Sequence, residues 1–166
     1  MPRGLRILLC LATAVVVARG TLVPCRAAGA TGSDIAVVVN SEVKEDNLPL
    51  AALRKVVLGD RQFWSGSQRV TLIIRAPEAR ERAVVLKKLY QMDDAQFRQY
   101  WIAKVFRAEI ASGPKTVTSN EVATELVSSL SGAIAFVDSA QVPRSAKLKV
   151  LKVDSLMPGE KGYPLR

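Results

Sequence analysis

Ile35-Ala36-Val37-Val38-Val39 is an unbroken run of apolar, mostly β-branched residues. An amphipathic helix would space its apolar residues by three and four, and a half-exposed strand would alternate them with polar ones. This run does neither, so it reads as a strand buried on both faces, as in sheets packed between helices. Two similar runs follow at Val70-Thr71-Leu72-Ile73-Ile74 and Ala133-Ile134-Ala135-Phe136-Val137.

The segments between these runs carry helical signals. Asn40 to Asn47 is a polar loop; then Leu50, Leu53 and Val57 recur at helical spacing, with Pro49 at the start and Gly59 as the stop. Asp60 to Gln68 forms a second loop that holds Phe63-Trp64. After the second strand, Pro77 opens a helix with Ala83, Leu86 and Tyr90 on one face. Asp93-Asp94-Ala95-Gln96 has the form of a capping box, and the helix behind it places Phe97, Trp101 and Val105 on one apolar stripe. Ala111 to Val117 is a loop around Gly113-Pro114. Thr118-Ser119-Asn120-Glu121 is a second box, with Val122 and Leu126 as the buried face of its helix. Ser131-Gly132 breaks that helix before the third strand. Lys147-Leu148-Lys149-Val150 alternates as an edge or half-exposed strand does. Strand, helix, strand, three helices and two strands predict an α/β fold, with a mostly parallel or mixed sheet flanked by helices.

Upstream of this domain, Met1 to Arg6 is basic, Ile7 to Ala18 is apolar but too short to span a bilayer, and small residues follow at Ala27-Ala28-Gly29-Ala30. The pattern predicts a cleaved signal peptide over residues 1–27 and a flexible tract over 28–34. The α/β domain covers 35–154, and a C-terminal tail covers 155–166. The expected mature chain, about 139 residues, makes one domain with no transmembrane segment and resides in the periplasm or outside the cell. Losing Arg3, Arg6, Arg19 and Arg26 lowers the formal charge from +9 to +5. That excess favours encounter with anions without naming one.

Composition excludes most catalysis. The chain has no histidine, and both cysteines, Cys10 and Cys25, fall in the leader. A Ser-His-Asp triad, a Cys-His pair and the usual zinc sites are therefore out of reach. Asp93 and Asp94 are explained as helix caps, and Glu42, Glu45 and Asp46 match no calcium loop. No Gly-rich phosphate loop is present, so no cofactor or metal is expected. Arg80, Arg82, Lys87 and Lys88 are interleaved with Glu78 and Glu81, the look of an ion-paired surface rather than of a nucleic-acid site. The chain reads as a non-enzyme.

Four local stretches, in order, carry a family resemblance: Leu50 to Gly59 followed by Phe63-Trp64, Val70 to Arg75, Gln91 to Phe106, and Ser129 to Val137. Together they resemble phosphate ABC-transporter substrate-binding proteins, of the type II periplasmic-binding-protein fold, as a short single-lobe member. The resemblance implies a solute-binding-protein-like module for inorganic phosphate or another small oxyanion, linked to ABC-type uptake, with a transporter or another envelope protein as partner. It carries Arg75 over as a ligand-binding residue. Asn40 and Ser41, at the end of the first strand, and Trp64 complete the candidate set. The family's Ser-Gly-Thr turn after the arginine is absent, because Arg75 is followed by Ala76-Pro77-Glu78-Ala79-Arg80-Glu81. The glutamates put negative charge where an anion should sit. The second reading is thus an accessory or protein-interaction module that keeps the fold and has lost small-ligand binding.

Overall fold

The computed structural model describes residues 33–166. The expected leader, both cysteines and most of the 28–34 tract lie outside the described residues. The strands are β1 (Ile35–Asn40), β2 (Asn47–Leu48), β3 (Thr71–Arg75), β4 (Lys115–Val117), β5 (Ala133–Asp138) and β6 (Leu148–Val153). The helices are α1 (Leu50–Val57), α2 (Arg80–Val85), α3 (Asp94–Phe106) and α4 (Asn120–Ser129). A π-helical turn, Leu86–Tyr90, extends α2.

The strands form one sheet in the order β2-β6-β1-β5-β3-β4. β3 runs parallel to β4 and β5, whereas β1 is antiparallel to both β5 and β6. The sheet is therefore mixed. An apolar run buried on both faces reports the helices above and below it but is blind to strand direction.

The pleat divides β1 between two cores. Ile35, Val37 and Val39 join Ile134, Phe136, Leu53, Val57, Leu89 and Phe97 on the face covered by α1, α2 and α3. Ala36 and Val38 join Ala133, Ala135, Ala123 and Val127 under α4. Small side chains on the α4 face let that helix sit close to the strands. Gly132 makes the entry to β5 possible: its φ is +73°, and a Cβ there would lie 2.2 Å from the Arg69 carbonyl oxygen.

Several local expectations change register. The α3 cap forms as expected, with Asp93 accepting from the Gln96 N–H and Gln96 reciprocating. The helix behind it rolls so that Phe97, Trp101 and Lys104 face inward and Val105 stays 41% exposed. Lys104 drives the roll, because its ammonium donates to the Leu58 carbonyl at 2.8 Å and to Asp60 at 2.7 Å, capping the end of α1. At α4 the cap is Ser119, one residue after Thr118, and it accepts from the Val122 N–H. The buried stripe accordingly moves to Asn120, Ala123, Thr124 and Val127, and Val122 turns outward. Pro77 lies in a turn before α2, Ala83 is exposed, and the buried residues of that helix are Glu81, Arg82 and Val85.

β2 and β4 occupy stretches read as loops; at two and three residues they are too short to show a period. β2 covers β6 only at Lys152 and Val153, so Leu148 to Val150 stay half-buried with an open outer edge, as their alternation implies. Residues 155–166, set apart as a tail, return to the core. Leu165 and Tyr163 are buried, the Ile35 N–H donates to the Leu165 carbonyl at 2.8 Å, and Arg166 pairs with Asp34 at 2.9 Å. Among the described residues no helix is long and apolar enough to cross a membrane.

Candidate oxyanion position

β3 delivers Arg75 to the carboxyl end of the parallel half of the sheet. The chain then turns through Ala76 to Ala79, held by Ala76 N–H to Val117 carbonyl at 2.8 Å and Ala79 N–H to Ala76 carbonyl at 3.0 Å. This turn points the first residues of α2 back at the strand end. Glu81 Oε2 comes within 3.7 Å of Arg75 Nε, with both side chains about nine-tenths buried. Glu81 Oε1 accepts from Asn120 Nδ2 at 2.7 Å, and the same amide donates to Gln141 Oε1 at 2.6 Å.

Arg82 braces the cluster from behind. Its Nη1 donates to the Arg75 carbonyl at 3.1 Å, its Nε donates to Asp94 at 2.7 Å, and its guanidinium lies 4.8 Å above the Phe97 ring. The Ser119 hydroxyl and the Glu121 N–H, helped by the Arg75 charge, hold the Glu121 carboxyl below its usual 4.5. Arg75 thus sits among the chain's own negative charge. Its Nε and Nη1 are nonetheless buried without a hydrogen-bond acceptor among the described residues, and Asn120 Oδ1 lacks a donor.

The other expected ligand residues lie elsewhere. Ile35 pairs with Asp138 and Val39 with Ile134, while Ile73 pairs with Ala135 in parallel. The carboxyl ends of β1 and β3 therefore point to opposite ends of the sheet. Asn40 donates to the Val127 carbonyl at 2.9 Å and accepts from the Glu42 N–H at 3.0 Å, locking the end of β1 to α4. Ser41 is exposed in the following turn, its N–H donating to the Lys147 carbonyl at 3.0 Å. Trp64 is 3% exposed and donates from Nε1 to the Gly132 carbonyl at 2.8 Å. None of the three reaches Arg75. Glu81 and Arg82 do, and Asn120 and Gln141 join the cluster behind Glu81. Of these only Glu81 carried a readable signal, an acid at a helix start just after a strand-end arginine.

A separate cleft of about 140 Å³ lies at the opposite end of β3, between Val56, Thr71, Trp101 and Ile110. None of the four expected ligand residues lines it. Among the described residues no group of three metal-ligating side chains converges.

No family model matches the chain, and no curated protein matches it. Solved structures do. An ABC-type phosphate transport receptor from Vibrio cholerae superposes at a TM-score of 0.63 with 16% identity, over 80% of this chain and 53% of that one. PstS from Borrelia burgdorferi gives 0.61 and 20%, over 76% and 49%. A Clostridium perfringens protein described as a phosphate ABC transporter substrate-binding protein, with phosphate bound, gives 0.59 and 14%, over 75% and 46%. This chain spans about half the length of the structures it matches, and what it shares with these substrate-binding proteins of the phosphate ABC-transporter type is the fold of that half.

Proposed function

We propose that the chain is an exported, non-enzymatic module of solute-binding-protein type that works by docking to another envelope protein, its oxyanion position closed by its own Glu81. One observation carries this reading: the Glu81 carboxylate lies 3.7 Å from the Arg75 guanidinium, in the place the family resemblance gives to phosphate. An internal carboxylate so placed competes with a free anion at very high effective concentration. A phosphate would have to displace it and leave a buried carboxylate without its cation. The absence of histidine from the whole chain supports holding over chemistry. Export to the periplasm or beyond rests on the N-terminal pattern.

A second reading has its own support. Two Arg75 donors lack acceptors, so an oxyanion could satisfy them once Glu81 swings away. Thermal melts with millimolar phosphate, against a chloride control of equal ionic strength, separate the two. The docking reading expects no shift for the native protein and a rise for Glu81→Ser, which empties the position and supplies a hydroxyl. Ligand at one hundred times its dissociation constant adds about 2.7 kcal/mol, several degrees for a domain of this size. A rise of that order in the native protein overturns the docking reading in favour of oxyanion binding linked to uptake.

A further inference from the structure

The cleft of about 140 Å³ at the amino end of β3 has an apolar floor and a basic rim. Val56 near the end of α1, Trp101 on α3 and Ile110 beyond it are buried and line the floor. Gly59 and Gly113 pack close to the indole. A Cβ on Gly59 would stand 3.2 Å from Trp101 Cη2, and one on Gly113 would stand 3.8 Å from Trp101 Cβ. The space matches that of an apolar cavity that admits one benzene ring, about 150 Å³.

The rim selects the charge of a ligand. Arg61, Arg69 and Lys115 line the cleft, and no acidic residue does. Arg61 is committed to Glu45. Arg69, just before β3, and Lys115, the first residue of β4, are exposed and enter no ion pair among the described residues. The acids on the adjoining segments already have partners: Asp60 holds Lys104 at 2.7 Å, and Glu109 holds Arg107 at 2.6 Å. The cleft therefore keeps an uncompensated positive charge above an apolar floor, and low-dielectric walls focus such a field on whatever enters.

We propose that this cleft binds a small organic acid, with an apolar body the size of one ring and a carboxylate at its end. The body lies against Val56, Trp101 and Ile110, and the carboxylate meets Arg69 and Lys115 at the mouth. Neither half suffices alone. An inorganic anion leaves the apolar floor in water, and a neutral ring leaves the two cations unmatched. A ligand of about nine heavy atoms in a cleft open on one side binds weakly, with Kd on the order of 0.1–1 mM. The site stands at the opposite end of β3 from Arg75 and is independent of the docking reading.

Benzoate serves as the probe, titrated into the purified protein while amide and indole NMR shifts are followed. The shifts should saturate and cluster at Gly59, Trp101, Gly113 and Lys115. Benzyl alcohol, which keeps the ring, and acetate, which keeps the charge, should each bind at least tenfold more weakly. Arg69→Gln combined with Lys115→Gln should weaken benzoate binding at least tenfold at an unchanged melting temperature, because both side chains are exposed. Gly113 has no left-handed φ and room for a Cβ, so Gly113→Leu should fold and block the cleft. Shifts that fail to saturate at millimolar benzoate overturn the proposal, as do shifts centred on Arg75 and Glu81 or binding indifferent to Gly113→Leu. Equal affinity for benzoate and benzyl alcohol, or native affinity in the double charge variant, overturns the choice of an acid.

Discussion

Glu81 is the residue on which the functional reading turns, and its removal has a definite sign. Glu81→Ala leaves the Arg75 guanidinium buried without its counter-charge, and breaking one side of such a pair costs about 3 kcal/mol. Urea unfolding should show that loss, and a change within experimental error would mean the pair is not buried in solution. Gly132 is a second residue with no substitute. Alanine there meets the Arg69 carbonyl at 2.2 Å and holds an unfavourable left-handed conformation. Gly132→Ala should lose at least about 3 kcal/mol or fail to accumulate as soluble protein. These single positions were legible to different degrees. A glutamate just inside a helix start, after a strand-end arginine, could be read as charge in an anion's place. That Asn40 belongs to the opposite end of the sheet could not, because it depends on the direction of β1, whereas Trp64 precedes β3 in the chain and so lies at the end away from Arg75.

Helix α3 shows what sequence period can and cannot fix in an element. Its start was legible because a capping box is local chemistry, an acid and an amide three residues apart. Asp93→Ala should therefore cost about 1 kcal/mol, readable as a lower melting temperature with an unchanged far-ultraviolet spectrum. A neutral result would show that tertiary packing alone sets the helix start. Which face α3 buries was not legible, since apolar residues occupy two sides and the choice falls to Lys104 reaching Leu58 and Asp60. The same limit applies to α4, where moving the cap from Thr118 to Ser119 rotates the buried stripe by one residue.

For the molecule as a whole, the class of fold was legible from three doubly buried runs alternating with helical patterns, while the choice between a mostly parallel and a mixed sheet stayed open until the direction of β1 was seen. Global stability also carries a pH signature. Burial, chiefly, pushes the Tyr90 and Tyr163 hydroxyls above their usual value of 10.0; they donate to the carbonyls of Val57 at 2.6 Å and of Ile35 at 2.8 Å. The folded state then keeps protons that the unfolded chain releases above pH 10. Stability is unaffected by these groups below that value and falls as pH rises past it. Denaturant midpoints taken between pH 8 and 11 should decline only in the upper part of the range, and a flat profile would show both phenols to be solvated. One further consequence belongs to the central strand. β1, the first strand in chain order, finds both its neighbours about a hundred residues downstream. During synthesis β1 has neither neighbour until β5 and β6 leave the ribosome, so the middle of the sheet closes last and the order of assembly runs against the order of translation.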